Sequence, residues 1–531
     1  MNVEKNYSRA VKQYKSKNYS DALKILDKIK RYAPSFRRAY MLEVDIYKEL
    51  NNYVKEIDAA EKVLSMFNLN DPKEKYLATN AFWFLGHALS QLSLNEEAVK
   101  NFRTAAKYST DNNSALKALQ SAIYVGCYTE CFSAADMRAL YDEYKKYLPN
   151  IIPPPPQRIF YDHKKIRIGF LSGDFCKHPV LHWSWALFIN LDKNLFEACY
   201  YSNTETPDEL TEHLRSTAYI WRDIRKLTDE EAAKIIRDDE IDILFDLSGH
   251  TSDNRLPVAA YRPASVQMSG IGYIASTGLD CFDYFLSDIH CAANEEAMNE
   301  YFCEKIIKMP HSHICYELTQ KIEPAYYPPC IKNKFVTFGS FNQFRKMTDS
   351  MLTAWKKILD TVPGSRLILK HKIFDTDEGK NFVSERLKNL GFDLSRVEMR
   401  GFSKNHLAEY ADVDIALDTF PYTGGVTTCE AIYMGVPVIS LYGDRHGTRF
   451  GLSILSNVGL DELAVDSYDE YIKRAVALAS DWELLTILRR NLRTMMEKSP
   501  LRDVKGYVRD IEKVFVKILN DEREKFLKEH D

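Results

Sequence analysis

Residues 1–148 show almost no strand-like alternation of apolar and polar positions, and their pattern repeats instead. Asn18-Tyr19 and Asn52-Tyr53 stand 34 residues apart, and Pro34 and Asn68 mark the next element boundary at the same spacing. Thirty-four is the tetratricopeptide period, a helix pair whose apolar faces are buried by stacking on neighbours. A third unit fits after a small insertion, with Gly86 and Ala88 on its first helix, Leu94-Asn95 at its turn, and Ala98, Phe102 and Ala105 on its second. Glu56 departs from the repeat, standing where the first unit has Ala22. The pattern predicts three helix pairs and a further helix over 115–147.

Pro153 through Pro156 end this region, because consecutive prolines cannot continue a helix and favour extended geometry. A linker over 149–164 is therefore expected. After it, strands are predicted at 166–171, 197–202, 241–247, 265–271, 282–287 and 305–309, and Thr228 with Glu231 reads as a capping box ahead of the third. A second series follows near 335–340, 366–371, 396–400, 413–417 and 436–441, then terminal helices over about 466–523. Two such series predict two Rossmann-like α/β lobes, 165–331 and 332–531, with ligand outside the C-terminal ends of the strands.

Candidate chemistry sits at those ends. The strand at Val413–Leu417 runs through Asp418 and Thr419 into Thr423-Gly424-Gly425-Val426-Thr427-Thr428, and a helix opens at Cys429-Glu430. Paired glycines at a helix start let backbone N–H groups approach a phosphate, Thr427 and Thr428 add hydroxyl donors, and Glu430 can accept from sugar hydroxyls. The same residues also suit a plain glycine turn capped by threonine. Phe335–Lys346 is a buried-type strand with a polar exit carrying Asn342, Gln343 and Lys346. Such a loop can deliver a cation to a diphosphate, or Lys346 is a solvated lysine before a cap at Thr348. His178 lies in a turn after the first strand of the lobes, and His250 follows the strand end at Gly249.

Composition narrows the class. The net charge is −4, with no long Lys/Arg run, so nothing points to nucleic acid or an anionic membrane surface. The ten cysteines are scattered, with no Cys-x-x-Cys pair and no nearby histidine spacing that suggests zinc. No apolar signal core opens the chain and no run of 18 apolar residues occurs, so a cytoplasmic protein without a membrane span is expected.

Asn342-Gln343 with Lys346, His406 before Asp412, Leu417-Asp418-Thr419 and Gly424 through Glu430 together resemble the C-terminal catalytic lobe of the O-linked N-acetylglucosamine transferase family. Earlier segments agree: Asp174-Phe175 with His178-Pro179 and His182, Arg262-Pro263-Ala264 with Gln267, and Gly272-Tyr273. Gly249-His250-Thr251 with Asn254, Thr419-Phe420-Pro421-Tyr422 and Tyr433-Met434-Gly435 lean toward its SPINDLY-like branch. The match runs collinearly from about Ile166 to the last helices.

The resemblance implies the type B glycosyltransferase fold behind a tetratricopeptide-like array, and an inverting, metal-independent protein O-glycosyltransferase. It implies UDP-N-acetylglucosamine as donor, with GDP-fucose the alternative from the plant relatives, and no cofactor beyond it. A non-catalytic scaffold with degenerate lobes is the second class of reading. By the same resemblance Lys346 stabilises the leaving diphosphate, His178 faces donor sugar or acceptor, and Asp239 or Asp242 sits where proton relays are placed. Asn342, Gln343, His250, His406, Gly424, Gly425, Thr427, Thr428 and Glu430 would bind the nucleotide sugar. Gly425 and Val426 replace His and Thr of some relatives, which shifts diphosphate binding onto backbone N–H groups. Asp412-Val413-Asp414 mimics a metal motif of another fold, but it leads an apolar strand whose alternation would send both carboxylates to one face, and no metal site is expected. The array would hold the polypeptide acceptor, and removing residues 1–148 should spare donor binding.

Overall fold

A computed structural model describes residues 1–149, 159–317 and 322–530. The proline run expected as a linker lies outside the described residues. The chain divides into two compact units that do not follow its order: Met1–Phe132 with Phe335–His406, and Ser133–Lys334 with Leu407–Asp531. The breaks fall after Phe132, Lys334 and His406, because helices of the array pack on the start of the second α/β series.

In the first unit the array comprises α1 (Val3–Lys15), α2 (Tyr19–Tyr32), α3 (Arg37–Glu49), α4 (Tyr53–Leu64), the short α5 (Pro72–Leu77), α6 (Thr79–Gln91), α7 (Asn95–Tyr108) and α8 (Asn112–Gly126). The repeat is visible in the turns. Lys17, Asn51 and Ser93 all adopt left-handed backbone, and the next residue's N–H closes on a carbonyl five back: Asn18 on Gln13, Asn52 on Tyr47, Leu94 on Leu89. The first two turns are 34 residues apart, and α5 absorbs the insertion before the third. Ala22 and Glu56 occupy equivalent buried positions, and the carboxylate is accommodated by a 2.9 Å contact with His87 Nδ1. At Gly86 a Cβ would meet the Phe102 ring at 3.0 Å, so glycine lets α6 and α7 close.

The same unit contains β8 (Thr337–Ser340), α16 (Asp349–Thr361), β9 (Arg366–Lys370), α17 (Asp377–Asn389) and β10 (Val397–Arg400), three parallel strands in the order β10-β9-β8. Glu378 of α17 accepts from Asn52 (3.0 Å) and pairs with Lys55, and Arg386 donates to the Leu92 carbonyl (3.1 Å). Removing residues 1–148, which is expected to spare donor binding, would strip these contacts.

The second unit opens with α9 (Ala134–Lys145), started by a Ser133/Asp136 capping box. The helix expected over 115–147 is thus two helices, α8 and α9, broken where Ser133 recaps the chain. Seven parallel strands follow: β1 (Ile166–Ser172), β2 (Phe196–Ser202), β3 (Ile220–Asp223), β4 (Ile243–Asp246), β5 (Val266–Gly270), β6 (Tyr284–Asp288) and β7 (Lys305–Met309), ordered β3-β2-β1-β4-β5-β6-β7. Sequence patterning missed β3, a four-residue edge strand with a half-buried, half-exposed face and no apolar run. Connecting helices are α10 (Pro179–Asn190), α11 (Glu209–Thr217), α12 (Asp229–Asp238), α13 (Leu256–Ala260) and α14 (Glu295–Tyr301), and Thr228/Glu231 form the expected capping box on α12. The chain order reverses direction between β1 and β4, the crevice position of such sheets.

The unit ends with α15 (Cys330–Asn333), β11 (Ile415–Leu417), α18 (Val426–Tyr433), β12 (Val438–Leu441), α19 (Phe450–Val458), β13 (Ala464–Val465), α20 (Tyr468–Ser480), α21 (Trp482–Glu497) and α22 (Val504–His530). β12 pairs in parallel with both β11 and β13. Arg489, 2% exposed, donates to the carbonyls of Tyr410, Met434 and Val413, tying α21 to the segment that enters β11. No helix among the described residues is long and apolar enough to cross a membrane.

Candidate functional site

The Gly424–Glu430 segment is shaped by one carboxylate. At the end of β11, Asp418 Oδ1 accepts from Gly424 N (2.6 Å) and Thr419 N (2.8 Å), and Oδ2 accepts from Ser440 Oγ (2.7 Å) on β12. Thr423 Oγ1 donates to the Gly447 carbonyl (3.3 Å), pinning the other side of the turn. A Cβ on Gly424 would come within 2.4 Å of Thr428 Oγ1 and 2.8 Å of Thr427 Oγ1, so glycine is required for both hydroxyls to converge there. Gly425 caps α18 without any side-chain hydrogen bond to the first turn, which leaves the helix start as a backbone donor surface. Glu430 is buried one turn further on.

α10 adjoins this turn within the same unit. A Cβ on Gly425 would lie 3.3 Å from Trp183 Cζ2, and Glu430 acts electrostatically on His182. His178 caps α10, its Nδ1 accepting from Val180 N at 3.4 Å and lying 3.5 Å from Asp174 Oδ1. Its pKa is lowered by desolvation, so the imidazole is neutral near pH 7. Asp174 is the residue that sequence reasoning passed over. Burial, then the nearby Asp253 charge, push its carboxyl up to about 7, and its Oδ2 is buried with no hydrogen-bond partner. The signal was present, since Asp174-Phe175 belongs to the segment that carries the resemblance, but a turn carboxylate gives no hint of its burial.

His250 is at the expected strand end but is 1% exposed. Its Nε2 meets the Thr277 carbonyl at 2.7 Å, and the rings of Tyr141, Tyr144 and Tyr273 surround it at 4.9–6.0 Å. Burial depresses its pKa to about 4, so the ring is neutral near pH 7, and its Nδ1 is buried without a hydrogen-bond partner. Asp239 is not brought to the site. It closes α12 just before β4 and is committed to a bidentate pair with Arg222 (2.6 and 3.0 Å) and to Tyr201 Oη (3.0 Å). Asp242 likewise accepts from Arg167 N (2.8 Å) at the start of β1. Both are spent on structure, and the proton-relay expectation is corrected on that ground.

In the first unit, Asn342 and Lys346 are buried and Gln343 is exposed, its Oε1 accepting from Arg345 Nε at 2.6 Å. Helices of the array brace this loop. Ser93 Oγ donates to the Met347 carbonyl (2.9 Å), Asn95 Nδ2 to the Arg345 carbonyl (3.1 Å), and the Arg345 guanidinium lies over Tyr128 (4.9 Å) and Tyr124 (5.3 Å). Thr348 caps α16 as expected. His406 is half-buried at the end of the unit.

The Asp-x-Asp mimic dissolves differently from expectation. β11 begins only at Ile415, Asp412 is exposed, and Asp414 is buried on the Cys330 N–H (2.9 Å), so the two carboxylates do not share a face.

Comparison with known proteins places these features. The model of glycosyl transferase family 41 matches residues 154–323 and 326–511. A tomato (Solanum lycopersicum) protein named "Probable UDP-N-acetylglucosamine--peptide N-acetylglucosaminyltransferase SPINDLY" is 36% identical over 388 residues, 71% of this chain and 42% of that protein. The Arabidopsis thaliana protein of the same name is 37% identical over 358 residues, covering 65% and 39%. The chain thus spans about two fifths of the length of these relatives. Among solved structures, a mutant of the Thermobaculum terrenum O-GlcNAc transferase aligns over 98% of both chains with a TM-score of 0.85 and 26% identity. A helical array followed by two Rossmann-like lobes of the type B glycosyltransferase fold is thereby the architecture of this protein, and the chain belongs to glycosyl transferase family 41.

Proposed function

We propose that this protein transfers N-acetylglucosamine from UDP-N-acetylglucosamine to serine or threonine hydroxyls of polypeptides, with inversion and without a metal at the diphosphate. The observation that carries the reading is the Asp418-braced turn, which brings the Thr427 and Thr428 hydroxyls together beside the start of α18, a helix start with no side-chain cap. The names of the relatives support the donor and the acceptor class.

In the proposed reaction the acceptor oxygen attacks the anomeric carbon from the face opposite the diphosphate. The carbon–oxygen bond to the diphosphate breaks as the new one forms, which inverts the centre. Charge accumulates on the departing UDP, where the α18 N–H groups offset it, and the resemblance to the family gives Lys346 the same role. The hydroxyl proton passes to the Asp174–His178 pair, whose two members lie 3.5 Å apart. Glu430 holds sugar hydroxyls of the nucleotide. The array presents the polypeptide.

Incubating the full chain and a mixture of unstructured polypeptides with isotopically labelled UDP-N-acetylglucosamine, and separately with GDP-fucose, tests this. The expected outcome is an N-acetylhexosamine mass increment on serine or threonine with the first donor alone. A deoxyhexose increment with the second would overturn the donor assignment, and no increment with either would overturn the enzyme reading.

A further inference from the structure

Three residues far apart in sequence, Cys291, His313 and His446, converge in the core of the second unit. One donor atom from each lies within 4.8 Å of the other two, and all three residues are buried. The site is built from the loop after β6, the segment after β7 and the turn that leads into α19.

Both histidines are oriented from behind. His313 Nδ1 meets Asp288 Oδ2 at 2.6 Å, and that carboxylate is itself fixed by Ser453 Oγ (2.8 Å) and by the backbone N–H of Cys291 (2.7 Å). His446 Nδ1 meets the Ile274 carbonyl at 3.1 Å. A carbonyl and a carboxylate can only accept, so each Nδ1 carries a proton, and in the neutral imidazole each Nε2 then keeps a bare lone pair. Both Nε2 atoms are buried with no hydrogen-bond partner, in residues 1% exposed. Phe285, Phe302 and Phe450 close the surroundings with ring centroids 5.0–5.8 Å from the imidazoles. Two orphaned lone pairs and a sulfur facing one another in an apolar enclosure is a costly arrangement for an empty core. It is the arrangement that nitrogen- and sulfur-loving cations take, down to the carboxylate and carbonyl that hold the far side of each ring.

We propose that Cys291, His313 and His446 bind a zinc ion that staples the 288–313 segment to the 446–453 segment. Zinc accepts a two-histidine, one-cysteine set at tetrahedral geometry, with water in the remaining position. The cluster shares no ligand atom with the Asp418-braced turn, so the proposed ion serves stability, and the donor chemistry proposed above does not pass through it. Sequence spacing hid the site, because its members are 22 and 133 residues apart.

The test uses the full chain expressed in zinc-replete medium and purified without chelator. Elemental analysis should find about one zinc per chain in the wild type, falling to about a tenth or less in a His313→Gln/His446→Gln double variant. Replacing zinc by cobalt should give visible ligand-field bands and a near-ultraviolet thiolate-to-metal band, and Cys291→Ser, which retains shape, should lose only the latter. Chelation of the folded wild type should lower its melting temperature and leave that of the double variant unmoved. Wild-type protein free of zinc and silent with cobalt would overturn the proposal in favour of a buried water shared by the two Nε2 atoms. Equal zinc in wild type and double variant would overturn it by placing the metal elsewhere.

Discussion

Lys346 stands out at the residue scale because its surroundings are built: the residue is 7% exposed, in a loop whose carbonyls at Arg345 and Met347 are held by Asn95 and Ser93. A cation fixed at the leaving group contributes most as charge develops, so Lys346→Ala should lower turnover by about 10²–10³-fold with little change in melting temperature. Steady-state rates with UDP-N-acetylglucosamine, paired with a thermal melt, check both parts. Asp174 gives the pH signature. Its carboxyl ionises at about 7, and the ionised form is the one able to take a proton, so the rate should fall as pH drops through about 7. In Asp174→Asn that acid limb should vanish along with most of the activity. A flat wild-type profile across neutral pH would remove Asp174 from the reaction. Sequence motifs exposed some of these residues and misplaced others for a physical reason. Type and spacing identify a carboxylate, but whether it is spent, as Asp239 is on Arg222 and Tyr201, depends on partners 17 and 38 residues away.

Elements were most legible where local chemistry repeats. The left-handed turns at Lys17, Asn51 and Ser93 follow from a short-range helix-ending geometry, and so the period was readable. Likewise the Thr228 and Thr348 caps are local hydrogen bonds. β3 and β13 were invisible, since a four-residue edge strand and a two-residue strand are stabilised by pairing with neighbours, not by their own pattern. The turn before α18 was legible as paired glycines, yet the reason for the first glycine emerged only with the Asp418 contact and the two threonine hydroxyls. Gly424→Ala should therefore displace Thr427 and Thr428 and weaken UDP binding by about tenfold or more, read by calorimetric titration, while the fold persists. Unchanged affinity would mean that these hydroxyls do not touch the nucleotide.

On the scale of the whole molecule, the array is part of the unit that carries Lys346, and not a detachable acceptor arm. Deleting residues 1–132 should abolish donor hydrolysis as well as protein glycosylation, through loss of the Ser93, Asn95, Tyr124 and Tyr128 contacts. A milder probe is Tyr124→Ala, which removes one ring from Arg345 and should slow transfer about two- to fivefold, in keeping with the worth of an exposed cation–π contact. The most direct measurement compares wild type with Lys346→Ala in one experiment: UDP affinity by calorimetry, and sugar incorporated into polypeptide by intact mass, from the same preparations. The account predicts that the variant still binds UDP within about tenfold of wild type through the Asp418-braced turn, yet incorporates almost no N-acetylglucosamine. Near-wild-type incorporation by the variant, or a wild type that neither binds UDP nor modifies any polypeptide, would contradict it.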